Sequence, residues 1–337
     1  MTRPARALAI SILALLALVA AACGGVSEDS GSGGGGENLT LVAYSTPQEA
    51  YEEIVPAFAK TPGGKGVGFD QSYGSSGEQA RAVESGLPAD VVALSLEPDM
   101  QKLVDAGLVE AGWNKDATEG NVTNSVAVFA VRKDNPKDIR TWDDLIRDDV
   151  EVITPNPVTS GGARWNIMAA YGSQVTKGKS EEEGIDFLRK LLANVSVQDK
   201  SAREALQTFT AGKGDVLIAY ENEAITSQQK GEEVEYVVPD QTILIENPVA
   251  VAKKSKNPVQ AKAFVDYLRT PAAQRVFVEK GYRPVVESLQ DPRRFPDPPG
   301  LFTIQRFGGW PAVSRKFFDP KDSIVANIER GLGVSTG

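Results

Sequence analysis

The 337-residue sequence contains no histidine and a single cysteine, Cys23. Without histidine there is no Ser-His-Asp triad and no Cys-His nucleophile pair. Cys/His zinc sites are excluded with them. One cysteine leaves no intrachain disulfide, so the fold depends on its core. Positive charge is also short: 36 Lys and Arg stand against 45 Asp and Glu, for a net charge of −9. That balance speaks against nucleic acid as a partner, because phosphate contacts need a basic footprint. A small anion is not excluded, since surface charge is screened beyond ~10 Å while buried dipoles are not. With no imidazole to titrate, a binding site here should keep a flat affinity from about pH 5 to 8.

A membrane-spanning run is missing too. The apolar stretch over residues 7–22 is shorter than the ~20 residues a span requires. It follows Arg3 and Arg6 and ends in small residues, the pattern of a signal peptide. Ala20, Ala21 and Ala22 running into Cys23 resemble a bacterial lipobox, in which the cysteine becomes the lipidated first residue. Residues 28–38, EDSGSGGGGEN, have nothing to bury and read as a flexible tether. The expectation is a signal peptide over 1–22, a lipidated tether over 23–38, and a domain held outside the membrane. The remaining ~300 residues exceed one comfortable core, so two lobes are expected.

The most informative stretch is PNPVTSGGARWN, residues 155–166. Residues 150–154, VEVIT, are β-branched except at Glu151 and mostly apolar, and read as a buried strand. Thr159 and Ser160 stand where a helix N-cap belongs, and Gly161 and Gly162 fill the first turn. N–H groups in that turn have no intrahelical partner, and glycine lets an anion approach them closely. Such a turn adds the positive end of the helix dipole to the free donors. Alone, SGG reads as an ordinary capped helix. Two further strands, however, run into similar starts: Gly74-Ser75-Ser76-Gly77, with Ser75/Glu78 and Ser76/Gln79 as capping boxes, and Ser201-Ala202, with Ser201/Glu204. Strand–helix alternation implies parallel sheet, and ligands in such sheets sit at the carboxyl ends of the strands.

Other candidates read more simply. Arg81, Arg164 and Arg203 fall in the first turns of these helices and suit structural pairing. Glu221 and Glu223 could be imagined as a catalytic carboxylate pair, but two apart at a strand-to-helix turn they need not face each other. Trp165, Phe307 and Trp310 read as core, and Gly63-Gly64-Lys65-Gly66 lacks P-loop spacing.

Taken together, DQSYGSSG (70–77), GLPADVV (86–92), VITPNP (152–157), SGGARWN (160–166), GDVLIA (214–219), ENEA (221–224), Tyr282-Arg283-Pro284 and FGGW (307–310) resemble the sulfate-binding proteins that serve ABC importers. The resemblance runs through nearly the whole chain after the tether. It implies an α/β fold of the two-lobed periplasmic-binding-protein-like kind (type II), with central, mainly parallel sheets flanked by helices. Lobe 1 would be 39–125 plus 247–337, and lobe 2 126–246. Sulfate would be engulfed between the lobes by uncharged donors and delivered to an ABC permease and its ATPase. No cofactor, metal or catalysis is implied, and a monomer is expected. Position by position, the ligand-binding set becomes Ser76, Ser160, Gly161, Gly162 and Ala202, together with Tyr220 where the family has a tryptophan. Ser45 stands where the family commonly has aspartate. Alternatives are a receptor for another tetrahedral oxyanion, thiosulfate or molybdate, and an enzyme on the same scaffold.

Overall fold

The computed structural model describes residues 38–333, so Cys23, the expected signal peptide and all but the last residue of the tether lie outside the described residues. The chain alternates at first: β1 (Asn38–Tyr44), α1 (Gln48–Phe58), β2 (Gly68–Gly74), α2 (Ser76–Glu84), β3 (Val91–Ala93) and α3 (Glu97–Asp105). The long β4 (Asn121–Arg132) leads to β5 (Val152–Ile153), α4 (Gly161–Val175), α5 (Glu181–Ala193), β6 (Val195–Val197), α6 (Ala202–Thr210), β7 (Val216–Tyr220), α7 (Glu221–Gln229) and β8 (Val234–Val237). A second long strand, β9 (Gln241–Val251), precedes α8 (Pro258–Leu268), α9 (Pro271–Glu279), β10 (Arg283–Pro284), β11 (Gly300–Phe302), α10 (Gly309–Phe317) and α11 (Ile324–Gly331).

Strand order is β2-β1-β3-β9-β4-β7-β5-β6. Each end of that order is a parallel block, β2-β1-β3 and β7-β5-β6. The middle is antiparallel, because the two long strands run between the blocks in opposite senses. Both long strands change partner along their length. β4 leaves β9 for β7 between Val126 and Ala127, and β9 leaves β4 for β3 between Pro248 and Val249. This gives a two-lobed α/β fold, with one lobe built on each parallel block and two strands crossing between them.

Each block buries its own core. On the first, Leu39, Leu41 and Ala43 of β1 pack against Ile54 and Phe58 of α1, Phe264 of α8 and Phe277 of α9. On the second, α4 is buried nearly all round, from Gly161 to Gln174, and its buried polar side chains Asn166, Ser173 and Gln174 are hydrogen-bonded. Trp165 stacks edge-on against Trp310 at 4.7 Å, and Tyr171 against Phe317 at 4.8 Å. The last two helices therefore belong to the α4–α5 core, with Trp310, Val313, Phe317, Val325 and Ile328 in that cluster. Between β4 and β5 the chain makes a 3-10 turn, Trp142–Ile146, capped by Thr141 and Asp144. The short strands β8, β10 and β11 were not foreseen, being too brief to show a period.

Candidate functional site: an uncharged cleft at three helix starts

The motif SGGARWN is spent almost residue by residue on placing one helix start. Ser160 caps α4, its Oγ accepting from the Ala163 N–H at 3.4 Å. Arg164 Nε donates to the Pro157 carbonyl at 2.9 Å, closing the turn behind the cap. Trp165 Nε1 donates to the Ser95 carbonyl at 2.8 Å, tying α4 to the turn between β3 and α3. Asn166 Nδ2 donates to Thr154 Oγ1 (3.1 Å) and to the Ile218 carbonyl (2.8 Å), fixing α4 over β5 and β7.

Neighbouring turns are bonded to this one. Asn156 N donates to the Asp199 carbonyl (2.8 Å) and Thr159 Oγ1 to the Lys200 carbonyl (2.7 Å). These bonds bring the start of α6 alongside α4. Gly77 N donates to the Thr159 carbonyl at 3.0 Å, bringing in α2. A Cβ at Gly77 would lie 2.8 Å from that carbonyl oxygen, so only glycine permits the approach. Ser201 and Glu204 form the capping box that starts α6.

The three starts open on one cavity of about 230 Å³, mouth included. All six residues expected from the sequence, Ser76, Ser160, Gly161, Gly162, Ala202 and Tyr220, line it. So do Tyr44, Ser45, Thr46, Gly74, Ser75 and Ser95, which sequence reasoning missed as lining residues. The missed signal is the same rule applied twice more. Ser45-Thr46-Pro47 and Ser95-Leu96-Glu97-Pro98 also follow strands and begin helices. None of the lining residues carries a charge.

Two details depart from expectation. Neither capping box read at the start of α2 forms: Ser75 Oγ donates to the Glu78 carboxylate (2.8 Å) and accepts from no helix N–H, and Ser76 does not pair with Gln79. Its Oγ–H donates to Asp99 Oδ2 (2.8 Å) and its oxygen accepts from Ser95 N (3.0 Å). Asp99 is 1 % exposed, and its buried carboxylate needs donors more than the helix start needs a cap. Gln79 turns instead to Ser72. The second departure concerns pH. Burial pushes the Glu223 carboxyl up to about 7, against the lowering from the Tyr220 N–H it accepts and from Arg203. A group does titrate near neutrality next to the cleft, although the chain has no histidine.

The remaining charged candidates are structural. Arg203 donates to the Ser45 carbonyl and to Glu49 (2.7 Å), so its guanidinium joins α6 to α1 outside the cleft. Arg81 is exposed. Glu221 is bound by Arg283 (2.8 Å) whereas Glu223 turns to Tyr220, so the two carboxylates do not face each other. Trp165 and Trp310 are core.

Residues 39–283 match the family model for bacterial extracellular solute-binding protein. The chain belongs to this family. A sulfate-binding protein of Synechococcus elongatus is 45% identical over 311 residues, covering 88% of this chain and 89% of the relative. A thiosulfate-binding protein of Escherichia coli K12 is 38% identical over 299 residues, covering 82% and 86%. Among solved structures, the sulfate-binding protein SubI from Mycobacterium tuberculosis H37Rv superposes with a TM-score of 0.82 at 44% identity, covering 84% of this chain and all of that one. Among the described residues of this solute-binding protein, no helix is long and apolar enough to cross a membrane.

Proposed function

We propose that this solute-binding protein captures sulfate between its lobes and delivers it to an ABC permease with a cytoplasmic ATPase, performing no chemistry itself. The observation that carries the reading is the convergence of the α2, α4 and α6 starts on one small cleft with an uncharged wall. Each dipole end contributes ~0.3–1 kcal/mol when exposed and up to ~2 when partly buried. Sulfate is fully deprotonated near neutral pH and only accepts hydrogen bonds, so donors suit every oxygen. Hydrogen phosphate would leave its own O–H facing donors, at ~1–3 kcal/mol for an unpaired buried group. The relatives named for sulfate support this ligand; the relative named for thiosulfate makes that anion the natural comparator.

In this reading the ligand is held by the Ser160 hydroxyl, by first-turn N–H groups of Ser76, Gly161, Gly162 and Ala202, and by Tyr220. The lobes are 39–125 with 247 to about 300, and 126–246 with the remainder, since the C-terminal helices share the α4–α5 core. Lipidation of Cys23 would tether the monomeric receptor on the outer face of the membrane. Calorimetry on ligand-stripped protein against sulfate, thiosulfate, molybdate and phosphate tests the proposal. Sulfate should bind tightest, and at 100 times its Kd should add ~2.7 kcal/mol of folding stability. The absence of both binding heat and a melting shift at millimolar sulfate would refute it.

A further inference from the structure

Among the described residues, a small set of buried side-chain oxygens and nitrogens has no hydrogen-bond partner, and three of them belong to one cavity. They are Tyr44 Oη, Ser95 Oγ and Tyr220 Oη, all on residues lining the cleft. Exposure is 5 % for Tyr44, 2 % for Ser95 and 1 % for Tyr220, so water does not readily serve them. An unmade hydrogen bond at a buried hydroxyl is costly, and three converging on one small space point to something that fills it.

We infer that these hydroxyls form a second pole of the ligand site, donating to the anion oxygens that the helix starts cannot reach. This rests on the sulfate reading above and extends its ligand shell to Tyr44 and Ser95. The surroundings hold the groups in place. The Ser95 carbonyl is pinned by Trp165 and by Asn247 Nδ2 (3.1 Å), and its N–H by Ser76. Gly162 brings the backbone of α4 close to the Tyr220 ring, a Cβ there lying 3.6 Å from Cε1. Polar neighbours are at hand, Ser95 and Asn247 for Tyr220 and Thr46, Thr123 and Tyr282 for Tyr44, but none of them stands in hydrogen-bond geometry with the phenol oxygen. Burial drives both phenols above their ordinary pKa, so each remains a neutral O–H donor. The site then binds an anion from two sides: fixed amides on one, rotatable hydroxyls on the other.

The test is calorimetry with sulfate on wild type, Tyr44→Phe, Ser95→Ala and Tyr220→Phe, with ligand-free melting curves for each. A donor to an anion is expected to be worth about tenfold or more in affinity. Ligand-free melting should stay level or rise, because each variant removes an unpaired buried group. Affinity within twofold of wild type in any two variants overturns the inference while leaving the sulfate reading intact. A lowered ligand-free Tm in two variants also overturns it, since the hydroxyls would then serve the fold. If wild type binds no sulfate, the functional reading fails and the inference goes with it.

Discussion

Gly161 offers the sharpest perturbation of the proposed mechanism. A Cβ placed on it would lie 2.0 Å from Ser95 Oγ and 2.1 Å from Leu96 Cδ2. Both atoms belong to the turn between β3 and α3, whereas Gly161 begins α4, so Gly161→Ala wedges elements of different lobes apart. Overpacking of this kind costs about 1–3 kcal/mol. Because the blocking atoms are side-chain ends that can rotate, the lower part of that range applies, and sulfate affinity should fall about tenfold. Gly162→Ala is the contrasting case. Its Cβ would sit 3.4 Å from Ser160 Oγ, 3.5 Å from Ala202 Cβ and 3.6 Å from Tyr220 Cε1, ordinary contact distances. The fold accepts that methyl, but the methyl stands at the mouth of two helix starts where the anion belongs. Gly162→Ala should therefore melt like wild type without ligand and lose at least as much affinity as Gly161→Ala. Calorimetry measures the affinities. Small-angle scattering with saturating sulfate should show Gly161→Ala more open than wild type. Wild-type affinity in both variants would refute the geometry.

Two further outcomes concern stability. Glu223 has its folded pKa raised to about 7 from the ordinary 4.5, so its stabilising contribution is full below pH 4.5 and is lost as pH rises to 7. The loss should approach ~3 kcal/mol; urea titrations across that range should show it in wild type, and Glu223→Gln should abolish it. A wild-type profile equal to that of Glu223→Gln would mean the carboxyl is not buried as described. Arg283, 8 % exposed, holds the 2 % exposed Glu221 at 2.8 Å. Arg283→Ala strands that carboxylate and should cost ~3–5 kcal/mol in urea unfolding, with part recovered on adding Glu221→Ala. A cost under ~1 kcal/mol would show that water reaches Glu221.

Much of the site was legible because its chemistry is local. A serine before two glycines, after a β-branched run, declares a capped helix start with free donors wherever the chain goes. Capping at Ser201/Glu204 formed as read. Ser76 was placed correctly on the cleft, but its hydroxyl was assigned to a local box, whereas a buried carboxylate 23 positions later claims it. Ser95 and Tyr44 went unread for a related reason: an unpartnered hydroxyl is defined by what surrounds it, not by its neighbours in sequence.

Composition and local pattern thus decided the class of chemistry: no imidazole, one thiol, and several strand-to-helix turns rich in serine and glycine. The three-dimensional arrangement decided which of those turns meet, which hydroxyls are taken up by the fold, and that a glutamate titrates near neutrality. Helix caps arise from groups three residues apart. Convergence and pKa arise from groups brought together only when β4 and β9 set the two parallel blocks facing one cleft.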